Sequence, residues 1–175
     1  ENGQIPNVVP AYWKMDKDNV TWPISYLHIV HLLSSHYGDQ RIVNTHYRSM
    51  QKWLDYIDQN YSYKGYIFVD QYGDWVIPPK AVSDQKNNNP LLKSSAEILA
   101  TTAFAKGLRL MIQFAQKTDQ KNDVLRYQKR LELLKSALQT HLVDTTTQNY
   151  GTHSPTEIIL LLNSELLPSE DQSKL

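Results

Sequence analysis

Cysteine is absent from the 175 residues, which excludes disulfides, thiol nucleophiles and zinc held by thiolates while leaving any redox compartment open. Net charge is absent too, since 18 lysines and arginines balance 18 aspartates and glutamates. That balance argues against nucleic acid as a partner, because a general binder needs surplus cations to displace phosphate counterions. Long apolar runs are missing. The richest stretch, residues 91–115, is interrupted by Lys93, Glu97, Lys106 and Arg109, so nothing approaches the roughly 18 apolar residues needed to span a bilayer, and no membrane partner is expected. A nucleophile elbow of the G-x-S-x-G type and a glycine-rich phosphate loop are also lacking. The chain opens at Glu1 with neither an initiator methionine nor a basic-then-apolar leader, and reads as a piece of a longer one.

With 41% hydrophobic and 21% charged residues, the chain can bury a core, and its length suits one ordinary domain. The few glycines and prolines mostly separate long periodic segments, which predicts a helical protein. Residues 22–37 are apolar around most of the helix circumference (Ile24, Leu27, Ile29, Val30, Leu32, Leu33), as for an internal helix. Residues 39–60 instead place Val43, Tyr47, Met50, Leu54 and Ile57 in a single stripe, as for an outer helix. Tyr37-Gly38-Asp39 joins them as a tight turn with its own cap. The alternation repeats in residues 91–116, apolar on most sides, and residues 122–142, with one stripe. A fifth helix opens at Ser154-Pro155-Thr156-Glu157, a capping box with proline at the first helical position. Inner and outer helices in alternation predict an all-α fold of αα-hairpins, either a closed toroid or an open solenoid. Uneven connections, long at residues 61–89 and 143–153, and the lack of a fixed period favour the toroid and put the long loops on one rim.

The connection 61–89 concentrates Tyr61, Tyr63, Tyr66, Phe68, Tyr72 and Trp75 near Asp70 and Asp74. Rings that pack on a pyranose face, beside carboxylates that accept from neighbouring hydroxyls, suit a sugar. Trp13 and Trp22 would lie on the same rim. The competing reading is structural: the rings pack the loop and the aspartates cap turns. Asp70 and Asp74 are also the one pair in this loop spaced to be neighbours, as glycoside hydrolysis by two carboxyl groups would require. His28 and His31 stand three apart on one helix without a third ligand, so a polar strip is expected there and no metal site.

Taken in order, residues 1–10 (ENGQIPNVVP), Trp22 at the opening of a helix, Tyr37-Gly38-Asp39, Tyr47, Met50 and Trp53-Leu54-Asp55-Tyr56-Ile57 resemble bacterial α-L-rhamnosidases. Tyr72-Gly73-Asp74-Trp75 carries most of the likeness, and Tyr127, Tyr150-Gly151-Thr152 and Leu167-Pro168 continue it. The resemblance implies a six-hairpin (α/α)6 toroid that removes terminal α-L-rhamnose from a glycan or glycoside by an inverting, two-carboxylate mechanism without a cofactor. The family's general acid belongs to an Asp-Glu-Arg segment before the part matching Glu1, and its base to a glutamate following a Trp, beyond the part matching Pro168. Residues 1–175 would then be the central part of the catalytic domain, incomplete at both ends, with the remainder of the barrel in a longer chain. No catalytic residue carries over. Asp74 matches the sugar-binding aspartate, with Trp75 beside it and Trp22 as a wall of the same pocket.

Two positions depart from the family pattern. Pro23-Ile24-Ser25 replaces a small, often glycine-containing step after Trp22, and His153 stands where a glutamine is common; both fall on the rim, where substrate preference is set. As an isolated piece the chain is expected to be inactive, with an apolar seam exposed. Two rival readings stand beside this one: another (α/α)6 glycosidase, trehalase-like or glucoamylase-like, and a helical interaction module that binds a protein or peptide.

Overall fold

The computed structural model describes residues 2–12, 17–72, 93–172 and 175. Helix α1, Ser25–His36, begins after a turn through Trp22 and Pro23, whose missing N–H is harmless in a first helical turn. Gly38, at φ 67°, ends it, and Asp39 caps α2, Gln40–Tyr61, by accepting from the Arg41 N–H at 2.9 Å. The stripe expected of α2 is buried as a unit: Val43, Tyr47, Met50, Leu54 and Ile57, with Trp53 beside them. Past α2 a small antiparallel hairpin pairs β1, Ser62–Tyr63, with β2, Tyr66–Ile67. Its turn uses Lys64 and Gly65, both at positive φ, the combination that matches strand twist in two-residue hairpins. This hairpin is not anticipated by the sequence pattern, because strands of two residues are too short to show a period.

Helix α3, Ala96–Lys117, is capped by Ser95 and is buried almost all round, from Ile98 and Leu99 to Phe114 and Ala115. It packs against α1, α2, β2 and the two helices that follow, and so forms the centre of the fold. Helix α4, Lys121–His141, carries its buried stripe on Tyr127, Leu131, Leu134 and Leu138, as expected for an outer helix. Helix α5, Pro155–Ser164, opens with the predicted capping box: Ser154 accepts from the Glu157 N–H, and the Glu157 carboxylate accepts from the Ser154 N–H. A one-turn helix, α6, Ser169–Gln172, follows Pro168.

The inner helices run in one direction. Gly107 of α3 lies against Ile24 and Leu27 at the start of α1, and Phe114 of α3 lies near His31, further along α1. Ser95 and Glu157 join the starts of α3 and α5. Helices α2 and α4 return on the outside, so the described residues form two αα-hairpins and a further inner helix of a double-layered toroid. The reading of α1 as covered on most sides needs correction, while the apolar seam expected of an isolated piece is present. Helix α1 is covered on Leu27, Val30 and Ser34 but exposes Ile29 and Leu32, at 54% and 50%, because among the described residues no element packs on that flank. Helix α5 likewise exposes Ile159 and Leu162.

Candidate functional site

The starts of the inner helices are fixed by buried carboxylates. Glu157, fully buried, accepts at one oxygen from the Ser95 N–H (2.6 Å) and hydroxyl (2.8 Å). At the other it accepts from the Thr152 N–H (2.8 Å) and hydroxyl (2.9 Å) and from the Ser154 N–H (3.1 Å). The Ser94 and Ser154 hydroxyls meet at 2.6 Å, and Thr152 reaches the Lys93 carbonyl at 2.9 Å. One anionic group thus satisfies donors at the openings of two helices, where the backbone supplies N–H groups without helical partners.

Asp70 does the same for the approach to α1. At 7% exposure it accepts from the Val20 N–H (3.3 Å), the Thr21 N–H (2.9 Å) and hydroxyl (3.1 Å), and the Tyr72 N–H (3.3 Å). Both oxygens are occupied by structural donors, so Asp70 is not placed to act as one half of an acid/base pair. Just beyond these anchors the Trp22 and Tyr72 rings pack in a tilted pair, centroids 5.1 Å apart and planes at 34°. Trp22 also borders a cavity of about 710 Å³ along the α1 edge, between residues 3–9 and Tyr26, Ile29, Ser49 and Lys52. Asp74 and Trp75, the other two sugar-contact candidates, lie outside the described residues, as does Trp13.

The remaining aromatics of this connection do not gather around one site. Tyr61 stands edge-on to Tyr56 and Phe68, and both tyrosine hydroxyls donate to Asp18. Burial, with the Asp18 carboxylate next to it, pushes the Tyr61 phenol up. Tyr63 and Tyr66 form a cross-strand pair at 5.8 Å. For these four residues the structural reading holds, and among the described aromatics of the connection Tyr72 alone joins Trp22. The signal that could have separated them is Lys64-Gly65, a two-residue turn with glycine between two tyrosines, which sets Tyr63 opposite Tyr66 before any ligand is considered.

Of the histidines, His28 and His31 sit on α1, where burial first, then Lys106 and His31, hold the His28 imidazole below its usual range. No group of three metal-ligating side chains occurs among the described residues. His46 shares a 2.6 Å hydrogen bond with the Tyr26 hydroxyl. His153 adopts a left-handed backbone, φ 57°, immediately before the α5 cap. Asn19, next to the Asp70 anchor and 2% exposed, pairs neither amide atom with a protein group; sequence reasoning did not single it out.

Parallel inner helices with outer helices returning antiparallel to them, their starts tied by carboxylates, define a segment of a double-layered helical-hairpin toroid. A family model of the bacterial alpha-L-rhamnosidase 6 hairpin glycosidase domain matches residues 1–175, and the chain belongs to that family. It is 24% identical over 173 residues to an alpha-L-rhamnosidase of Alteromonas sp. (strain LOR), covering 98% of this chain and 18% of that protein. The alpha-L-rhamnosidase from Dictyoglumus thermophilum superposes with a TM-score of 0.80 at 23% identity, over 99% of this chain and 19% of that one. Streptomyces avermitilis alpha-L-rhamnosidase, solved with L-rhamnose, gives 0.78 at 21% identity, over 98% and 15%. The chain therefore spans less than a fifth of each of these relatives.

Proposed function

We propose that this chain is the central part of a glycoside hydrolase that removes terminal α-L-rhamnose with inversion, its general acid and general base both lying outside residues 1–175. The observation that carries the reading is the match of the rhamnosidase domain to the whole chain. The relative solved with L-rhamnose supports the sugar. In this reading the segment contributes binding: Asp74 accepts hydrogen bonds from sugar hydroxyls, and Trp22 and Trp75 wall the pocket. The engagement of Asp70 by backbone donors supports looking elsewhere for the carboxyl pair, which in an inverting enzyme stands about 6.5 to 9.5 Å apart with water between. In the same reading residues 1–175 are part of an (α/α)6 catalytic domain, incomplete at both ends, with the rest of the barrel supplied by the longer protein. The apolar faces of α1 and α5 are where its neighbouring hairpins would pack.

The test is hydrolysis of an aryl α-L-rhamnoside by the longest native protein that contains this chain, with the anomer of the released sugar followed by NMR. Release of the β-anomer is expected, and residues 1–175 alone are expected to release nothing. Asp74→Ala in the longer protein should abolish rhamnose binding. No turnover of any α-L-rhamnoside, or retention of configuration, would overturn the reading.

A further inference from the structure

We infer that Asp70 is a positioning residue for the aromatic wall of this site, holding Trp22 and Tyr72 in one fixed relation; the inference rests on Trp22 being the pocket wall proposed above. Its donors come from segments 49 and 50 residues away, Thr21 and Val20, and from Tyr72, two residues away. Oδ2 takes the Val20 and Thr21 N–H groups, and Oδ1 takes the Thr21 hydroxyl and the Tyr72 N–H. Thr21 precedes Trp22 directly, so one carboxylate fastens the backbone that carries both rings of the tilted pair, 5.1 Å apart. These bonds tie residues 20–21 to residues 70–72, so removing them loosens the two segments relative to each other.

The chemistry requires a carboxylate. Three of the four donors are backbone N–H groups, which cannot reverse their role. A carboxamide has one acceptor oxygen, so an asparagine would aim its NH₂ at an N–H on one side or the other. A charged acceptor also makes stronger bonds in a site from which water is excluded. Asp70 itself is buried and bonded to the backbone beside the rings, so its influence on a bound sugar runs through Trp22 and Tyr72 and falls on binding.

The experiment compares three variants of the full-length protein: Asp70→Asn, Thr21→Val, and Asp123→Asn as a control. Asp123 binds Tyr47 and Gln51 at the start of α4, the opposite end of the helical layer. With an aryl α-L-rhamnoside, Asp70→Asn is expected to raise KM by about five- to ten-fold with kcat within about two-fold, the signature of lost binding common to ground and transition states. Thr21→Val, which removes one of the four bonds, should move KM the same way by a smaller factor. Asp123→Asn should keep the parental KM despite lower thermal stability. The near-ultraviolet circular dichroism band that disappears in Trp22→Phe should weaken in Asp70→Asn. Parental KM and an unchanged band in Asp70→Asn would overturn the inference, as would an equal rise in KM in the control. If Asp70→Asn does not fold, Thr21→Val decides by the same criteria. If the parent protein hydrolyses no rhamnoside, the functional reading fails, and the circular dichroism band alone decides whether Asp70 holds the rings.

Discussion

Glu157 is a buried anion whose five donors come from three residues, Ser95, Thr152 and Ser154. Glu157→Gln keeps the shape but points an amide NH₂ at a backbone N–H on one side, stranding at least one buried donor. Loss of about 2–3 kcal/mol is expected, the usual cost of an unsatisfied buried group beside a lost charged hydrogen bond, and urea unfolding measures it. His28 gives a pH prediction. Its folded-state pKa lies below the ordinary 6.5, so below about pH 6.5 the unfolded chain binds the proton more readily than the folded one. This contribution to stability is whole above the unfolded value and is lost as pH falls from there toward the folded value. A chemical-denaturation series across that window should show the decline, and His28→Gln should flatten it. The capping role of Glu157 was legible, because Ser154 and Glu157 are three apart; its hold on Ser95 was not, because that partner is 62 residues away. Trp22 was legible as a rim residue. Asp70 was ambiguous, since sequence order shows a carboxylate near aromatic rings in the same way whether its partners are sugar hydroxyls or backbone.

Between elements, the two outer helices are joined by polar groups laid over an apolar floor. Arg130 of α4 forks onto Asp58 of α2, with its closest contact at 2.7 Å, and also donates to the Gly65 carbonyl at 2.8 Å and the Ser62 hydroxyl at 3.2 Å. It therefore binds the hairpin and α2 to α4 at once. Arg130→Ala should lower stability by about 2 kcal/mol, and Arg130→Lys should recover only part of it, since an ammonium cannot reproduce the planar fork. Under this layer, Gly107 allows α3 to approach α1 and α2. A Cβ there would stand 3.2 Å from Leu54 Cδ2 and 3.5 Å from Ile24 Cδ1. Gly107→Ala sets that crowding against a gain in helix propensity of about 1 kcal/mol, and a small net change is expected. Gly107→Val overfills the space and should cost about 2 kcal/mol or more by the same unfolding assay. Helix types and their order were legible because periods of three and four persist over twenty residues. The Arg130 fork was not, since a charged residue on an outer helix reads equally well as solvated surface.

At the scale of the molecule, both flanking inner helices leave apolar pairs three residues apart in the open: Ile29 with Leu32 on α1, and Ile159 with Leu162 on α5. Residues 1–175 alone should bind an apolar dye and sediment as concentration-dependent assemblies, and Ile29→Lys with Leu162→Lys should reduce both. The inner and outer alternation made the toroid legible. The exposed seam was legible as the flank of an incomplete barrel, but its position on α1 was not, because an apolar circumference shows what a helix can bury and says nothing of which neighbours are present. Among the described residues helix α3 alone touches every other helix longer than one turn, and this has a consequence for how the molecule opens. Local fraying can release α1 or α5 while α3 stays enclosed, but no partial opening frees the middle of α3 without separating the two hairpins. Its backbone amides should therefore exchange with deuterated solvent only through global unfolding, so the slowest-labelling peptide of the chain would report the free energy of the whole fold directly.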